Sequence, residues 1–288
     1  MPLDPEVAAY LEAQKLLPPR AALDIAATRQ RLRDAAQFAG PPPAIDRVEN
    51  LILAGYLRAR QYWPIDDSTL PLLVYFHGGR FISGDLESHD PVCRMLALTA
   101  KCRVLAVDYR LAPEHRFPAA TEDARLAVEW ALGQGIAVAV AGDSAGANLA
   151  AGAALGPRGT ELRSQALIYP MIDATCSSAS YTEFAEGYGP GAADMQRGWR
   201  EYLPEGADPR DPLASPLFAS HLDGAPPAWV LTAEYDTLRD EGEAYAWRLG
   251  ITPTRYTGTI HGFFTMPGVM RLAREAIAEA AAFLRRNW

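Results

Sequence analysis

The stretch Ile136-Ala-Val-Ala-Val-Ala-Gly-Asp-Ser-Ala-Gly-Ala-Asn-Leu-Ala-Ala151 decides the fold. Its first half, alternating β-branched and small apolar residues, reads as a buried strand, and its Ala-rich end reads as a helix. Between them Gly142-Asp143-Ser144-Ala145-Gly146 leaves room only for a tight turn. A serine flanked by glycines at a strand-to-helix junction has the pattern of a nucleophile elbow. The backbone there bends so sharply that glycines must flank the serine, and the hydroxyl stands exposed above the sheet. The helix that begins at the turn aims its N-terminal N–H groups and the positive end of its dipole at the same point. Gly, Ser and Ala are common residues, so the remainder of the chain has to supply a base, an orienting acid and an oxyanion hole.

A serine hydroxyl becomes a useful nucleophile only when a neighbouring base takes its proton, and that base needs a carboxylate to fix its tautomer. Downstream, His261 lies in Thr259-Ile-His-Gly-Phe-Phe264, between the last strand and the last helix, and Asp236 lies just past the strand Ala228 to Thr232. The order Ser144, Asp236, His261 is the one this elbow predicts. His89, His115 and His221 sit in polar or proline-rich turns with structural roles, and Glu234 or Asp240 could replace Asp236 only with a shifted loop. Upstream, His77-Gly78-Gly79-Arg80 follows a strand. Backbone amides approach a ligand closely where side chains are absent, so Gly78, Gly79 and Ala145 are the expected oxyanion donors. His77 is expected to orient its loop.

Length and composition agree with one large domain. The 288 residues, 49% of them hydrophobic, can bury a full core. A net charge of -8 without a block of Lys or Arg argues against nucleic acid and anionic membrane surfaces, and suits a small neutral or cationic ligand better. Cys93, Cys102 and Cys176 are odd in number and lack Cys-x-x-Cys spacing, so neither a disulfide framework nor a metal site is expected. Met1-Pro-Leu-Asp-Pro-Glu-Val carries acid and proline where an export signal carries a cation and an apolar run, and no stretch suits a membrane span, so the expected location is cytoplasmic.

Residues 1–45 read as a helical attachment: Val7, Tyr10, Leu11 and Leu17 share a helical face, Pro18-Pro19 stops it, and Ile25 to Phe38 forms an Arg-rich second helix. Strand-like runs follow at Val48 to Leu53 and Tyr56 to Tyr62, an antiparallel pair, and at Leu70 to Phe76. Helices then alternate with strands: Pro91 to Ala100, Arg103 to Val107, Ala119 to Leu132, the elbow, and Ala166 to Tyr169. That alternation predicts an α/β fold with a mostly parallel sheet covered on both faces. Residues 173–216 break the pattern; rich in Gly, Pro and aromatics, with a helix near Ala192 to Tyr202, they are expected to join the N-terminal helices in a lid. The aromatics Tyr181, Phe184, Tyr188, Trp199 and Tyr202 would shape its pockets. A helix at Thr237 to Leu249, a strand at Thr254 to Tyr256 and a helix at Val269 to Arg286 close the chain. The edge strand at Thr254 to Tyr256 is compatible with a homodimer.

Several of these segments together resemble the hormone-sensitive-lipase-like esterases, bacterial family IV of the α/β-hydrolases. They are Tyr75-Phe-His-Gly-Gly79, Asp108-Tyr-Arg-Leu-Ala-Pro-Glu-His-Arg-Phe-Pro118, Gly142 to Gly146, Asp211-Pro-Leu-Ala-Ser-Pro216, Asp236-Thr-Leu-Arg-Asp-Glu-Gly242 and His261-Gly-Phe263. The resemblance implies an α/β-hydrolase fold with an eight-stranded sheet in a catalytic domain of residues 46–288, interrupted by a cap insertion at 173–216. It also implies hydrolysis of short- to medium-chain carboxylic esters without a cofactor. Two departures stand out. Arg80 replaces the usual third glycine and Ala147 a second glycine after the elbow. Arg80 keeps a backbone N–H, which some family members use as a donor at that position. Its side chain is expected near the pocket mouth or under the cap, narrowing the pocket or favouring anionic or polar substrates. Amide or lactone hydrolysis would use the same triad, whereas a non-catalytic receptor on this fold would lack one of its members.

Overall fold

The computed structural model describes residues 2–288. Two N-terminal helices, α1 (Pro5–Gln14) and α2 (Ile25–Ala35), precede the antiparallel strands β1 (Arg47–Leu53) and β2 (Leu57–Trp63). The alternating part follows as β3 (Leu72–Phe76), α3 (Asp90–Ala100), β4 (Arg103–Asp108), α4 (Ala119–Leu132), β5 (Val138–Asp143), α5 (Ala145–Ala154) and β6 (Gln165–Ile168). The segment after β6 holds α6 (Ser180–Glu183) and α7 (Ala192–Tyr202). The chain ends with β7 (Ala228–Tyr235), α8 (Arg239–Arg248), β8 (Thr254–Ile260) and α9 (Arg271–Arg286).

The strands form one eight-stranded sheet in the order β1-β2-β4-β3-β5-β6-β7-β8, parallel from β4 to β8. All five residues of β3 and all six of β5 are buried, as a strand covered on both faces requires. Side-chain alternation divides the core in two. Leu72, Val74, Phe76, Val138 and Val140 share one apolar cluster with residues of α4 and α5. Leu73, Tyr75, Ala139 and Ala141 share the other with residues of α3 and α9. The small side chains of α5, with Ala145, Ala147, Ala150 and Ala151 buried, let that helix lie close against the sheet. The outermost strand β1 is largely exposed, as an edge permits.

Differences from the sequence reading lie mainly at element ends. Strands β7 and β8 run three and four residues further than their apolar cores suggest, because backbone pairing continues to Tyr235↔Ile260 through polar positions and past a bulge. Leu17 lies beyond the end of α1 and is exposed, because the helix stops at Gln14 ahead of the prolines, whereas Val7 and Tyr10 are buried. Among the described residues no helix is long and apolar enough to cross a membrane.

Candidate active site

Strand register assembles the site. Tyr235 pairs with Ile260 at the ends of the neighbouring parallel strands β7 and β8, so the next residues, Asp236 and His261, leave the sheet side by side. Phe76 pairs with Gly142 across β3 and β5, so His77 and Gly78 leave the sheet beside Asp143 and Ser144. Every one of these residues thus lies at the carboxyl ends of parallel strands, where open α/β sheets bind their ligands.

The elbow has the expected strain. Ser144 sits at φ 56°, ψ -119°, a left-handed conformation that few side chains adopt. Its flanking glycines are required by backbone. A Cβ on Gly146 would fall 1.9 Å from the Phe76 carbonyl oxygen, and one on Gly142 would fall 2.4 Å from the Gly146 carbonyl carbon. Ser144 Oγ lies 3.0 Å from His261 Nε2, and His261 Nδ1 lies 2.8 Å from Asp236 Oδ2. The other carboxylate oxygen of Asp236 accepts the Leu238 N–H at 2.9 Å, which fixes the acid's orientation. All three residues are buried. The geometry is that of a hydroxyl, an imidazole that can accept its proton, and an acid that holds the imidazole in the required tautomer.

The loop after β3 corrects one expectation. The Gly78 N–H donates to Asp143 Oδ1 at 2.9 Å and is therefore not free for an oxyanion. The uncommitted amides near the elbow are those of Gly79, Arg80 and Ala145, which donate to no acceptor among the described residues. Asp143 is the residue that the sequence reading missed. Its Oδ1 also accepts the Tyr75 hydroxyl at 2.8 Å and lies 3.3 Å from His89 Nε2. Burial alone would raise its carboxyl pKa, but His89, Tyr75 and His77 together hold it below the usual carboxylate value. His77 donates from Nδ1 to the Gly78 carbonyl at 2.9 Å and stacks on Tyr109 with ring centroids 4.3 Å apart. Its pKa is pulled down to about 4, first by burial and then by His89, so the ring is neutral at ordinary pH. The pattern Gly-Asp-Ser did contain a signal for Asp143: a carboxylate at the end of a buried strand needs donors, and His77, Gly78 and His89 were the polar groups in the facing loop.

A cavity of about 810 Å³ opens above Ser144 and His261. The N-terminal helices supply one wall, including Tyr10, Thr28 and Arg31, and Pro190 and Met195 supply part of another. The aromatic residues of the 173–216 segment do not line it. Tyr202 instead stacks on Phe81 at 3.8 Å between centroids, and Trp199 packs against the same ring at 5.3 Å, so these rings are spent on holding α7 to the loop after β3. The Arg80 side chain is buried and bonds Asp194 of α7 at 3.2 Å. Burial, opposed by Asp194, pulls its guanidinium pKa down to about 10. A Cβ on Gly198 would come 2.7 Å from the Arg80 Cβ, so α7 needs a glycine to approach this closely.

Comparison with known proteins agrees with this geometry. Residues 73–265 match a family defined by the α/β hydrolase fold. The chain belongs to that family. An arylesterase of Saccharolobus solfataricus is 35% identical to this α/β-hydrolase, with 99% of each chain covered. The carboxylic ester hydrolase LipN of Mycobacterium tuberculosis is 39% identical over 84% of this chain and 71% of its own length. Among solved structures, a hyperthermophilic esterase from the archaeon Pyrobaculum calidifontis superposes with a TM-score of 0.92 at 40% identity, covering 99% of both chains.

Proposed function

We propose that this α/β-hydrolase is a serine carboxylesterase acting on short- to medium-chain esters through an acyl-enzyme. The observation that carries the reading is the unbroken line from Asp236 through His261 to Ser144, with links of 2.8 and 3.0 Å, ending on a serine in a left-handed elbow. His261 takes the proton of Ser144 as its oxygen attacks the ester carbonyl, and the imidazolium that forms is stabilised by Asp236. Collapse of the tetrahedral intermediate expels the alcohol, which receives the proton from His261. Water, deprotonated by the same imidazole, then attacks the acyl-enzyme; the acid leaves and Ser144 regains its proton. The oxyanion is received by the amides of Gly79 and Ala145 with that of Arg80, while Gly78 serves its neighbours by bonding Asp143. Residues 1–45 and 173–216 act as the cap over the catalytic domain of residues 46–288.

The test is release of p-nitrophenol from esters of graded acyl length by the wild type and by Ser144→Ala. Activity that falls with chain length and drops at least about a thousandfold in the variant is the expected result. Equal, background-level hydrolysis by both folded proteins would overturn the reading.

A further inference from the structure

The cavity above Ser144 is more cationic than the chain that encloses it. The net charge of the protein is -8, yet Arg20, Arg31, Arg33 and Arg80 all line this one cavity. Two of the four are compensated: Arg33 pairs with Asp85 and Arg80 with Asp194. Among the described residues Arg20 and Arg31 form no ion pair with any carboxylate. Arg31 donates Nη1 to the Pro18 carbonyl at 2.7 Å and Nη2 to Gln14 Oε1 at 3.2 Å, but its Nε is buried without a partner. Of the carboxylates lining the cavity, Asp143 is engaged by Gly78 and Tyr75, and Asp34 accepts a bond from Gln30 Nε2 and pairs with neither Arg20 nor Arg31.

A desolvated donor without an acceptor is unfavourable, and so are unpaired cations crowded together. Burial and then the nearby Arg20 lower the pKa of Arg31, and Arg20 likewise disfavours the charge on Arg80. An anion entering between Arg20 and Arg31 would relieve the crowding of the two cations, because a carboxylate offers the negative charge and oxygen acceptors that a guanidinium lacks. The same cavity contains the nucleophile, so an anion held there would belong to the molecule being hydrolysed. Arg80 is not the receptor, since Asp194 already occupies it.

Resting on the carboxylesterase reading, we propose that the preferred substrates are esters carrying a carboxylate remote from the scissile bond, received by Arg31 and Arg20. The charge sits either on the acyl part, as in a monoester of a dicarboxylic acid, or on the alcohol part, as in an ester of a hydroxy acid.

The experiment compares kcat/KM for monoethyl succinate with ethyl pentanoate, and for acetoxyacetate with propyl acetate, by titrating the acid released at constant pH. Wild type, Arg31→Gln, Arg20→Gln and Arg20→Glu are measured. In one of the two pairs the ratio of anionic to neutral ester should fall about fivefold to tenfold in each Gln variant and further in Arg20→Glu. Added salt should lower the wild-type ratio in the same pair. The pair that responds identifies which part of the ester carries the charge. Because Arg31 also ties α1 to α2, Arg20, whose side chain makes no hydrogen bond within the described residues, provides the independent variant. Ratios unchanged by every variant in both pairs would overturn the proposal. Failure of wild type to hydrolyse even the neutral esters would overturn the carboxylesterase reading, and the proposal with it.

Discussion

Asp143→Asn separates the positioning of the oxyanion loop from the chemistry of the triad. Asp143 does not touch the Ser144 hydroxyl; its Oδ1 takes the Gly78 N–H at 2.9 Å and the Tyr75 hydroxyl at 2.8 Å, with His89 Nε2 at 3.3 Å. The position that Oδ2 occupies is 2.2 Å from where a Gly78 Cβ would stand, so the carboxylate fills the space under that glycine. Asparagine keeps the volume and one acceptor but removes the charge. Bonds to an ion exceed neutral ones by about 1 kcal/mol each, and three donors are affected, so the variant should lose about 2–3 kcal/mol of stability. Catalysis should suffer through Gly79 and Arg80, whose backbone follows directly from the anchored Gly78. Complete loss of one oxyanion donor lowers kcat by about 10²–10³, and a displaced one should lower it by about 10–100 with little change in KM. Urea unfolding followed by tryptophan fluorescence, with kcat and KM on p-nitrophenyl acetate, measures both. A variant that loses the stability but keeps kcat within about threefold would refute the argument that Asp143 positions the oxyanion donors.

Gly146→Ala should destabilise by about 3 kcal/mol or more, because its Cβ would meet the Phe76 carbonyl oxygen at 1.9 Å and that atom belongs to a central strand. Gly152→Ala on the same helix meets nothing within 4 Å and should stabilise by about 0.5–1 kcal/mol; equal effects in urea titrations would refute the backbone-contact account. His77 has a folded pKa of about 4, below its ordinary 6.5, so the unfolded chain binds the extra proton between those values. Its contribution is therefore complete above the unfolded pKa and is lost as pH falls toward the folded one. Urea midpoints measured down through that range should decline in the wild type and decline less in His77→Gln; parallel curves would exclude His77 as the source.

What could be read in advance depended on how local its cause was. The elbow was legible because glycine at 142 and 146 is demanded within five residues of chain, and the same backbone contacts that exclude a Cβ there also set the serine in place. Asp236 and His261 were legible for a related reason: each lies directly after a strand, and parallel pairing of neighbouring strands makes such positions adjacent. Gly78 misled because its amide and that of Gly79 look equivalent in sequence. Which one is consumed depends on Phe76 pairing with Gly142, a register between strands more than sixty residues apart that brings Asp143 under one glycine and not the other. The cap aromatics misled similarly. A bulky apolar ring can line a pocket or fill a core, and Phe81, just past Arg80 on the same loop, offered Trp199 and Tyr202 a better burial than the cavity did. That packing has a consequence for the departure at Arg80. With Phe81 stacked on Tyr202, Arg80 bonded to Asp194 and Gly198 pressed against Arg80, helix α7 and the oxyanion loop are one packed unit. The side chain that replaces a glycine is therefore spent on holding α7 against the loop after β3.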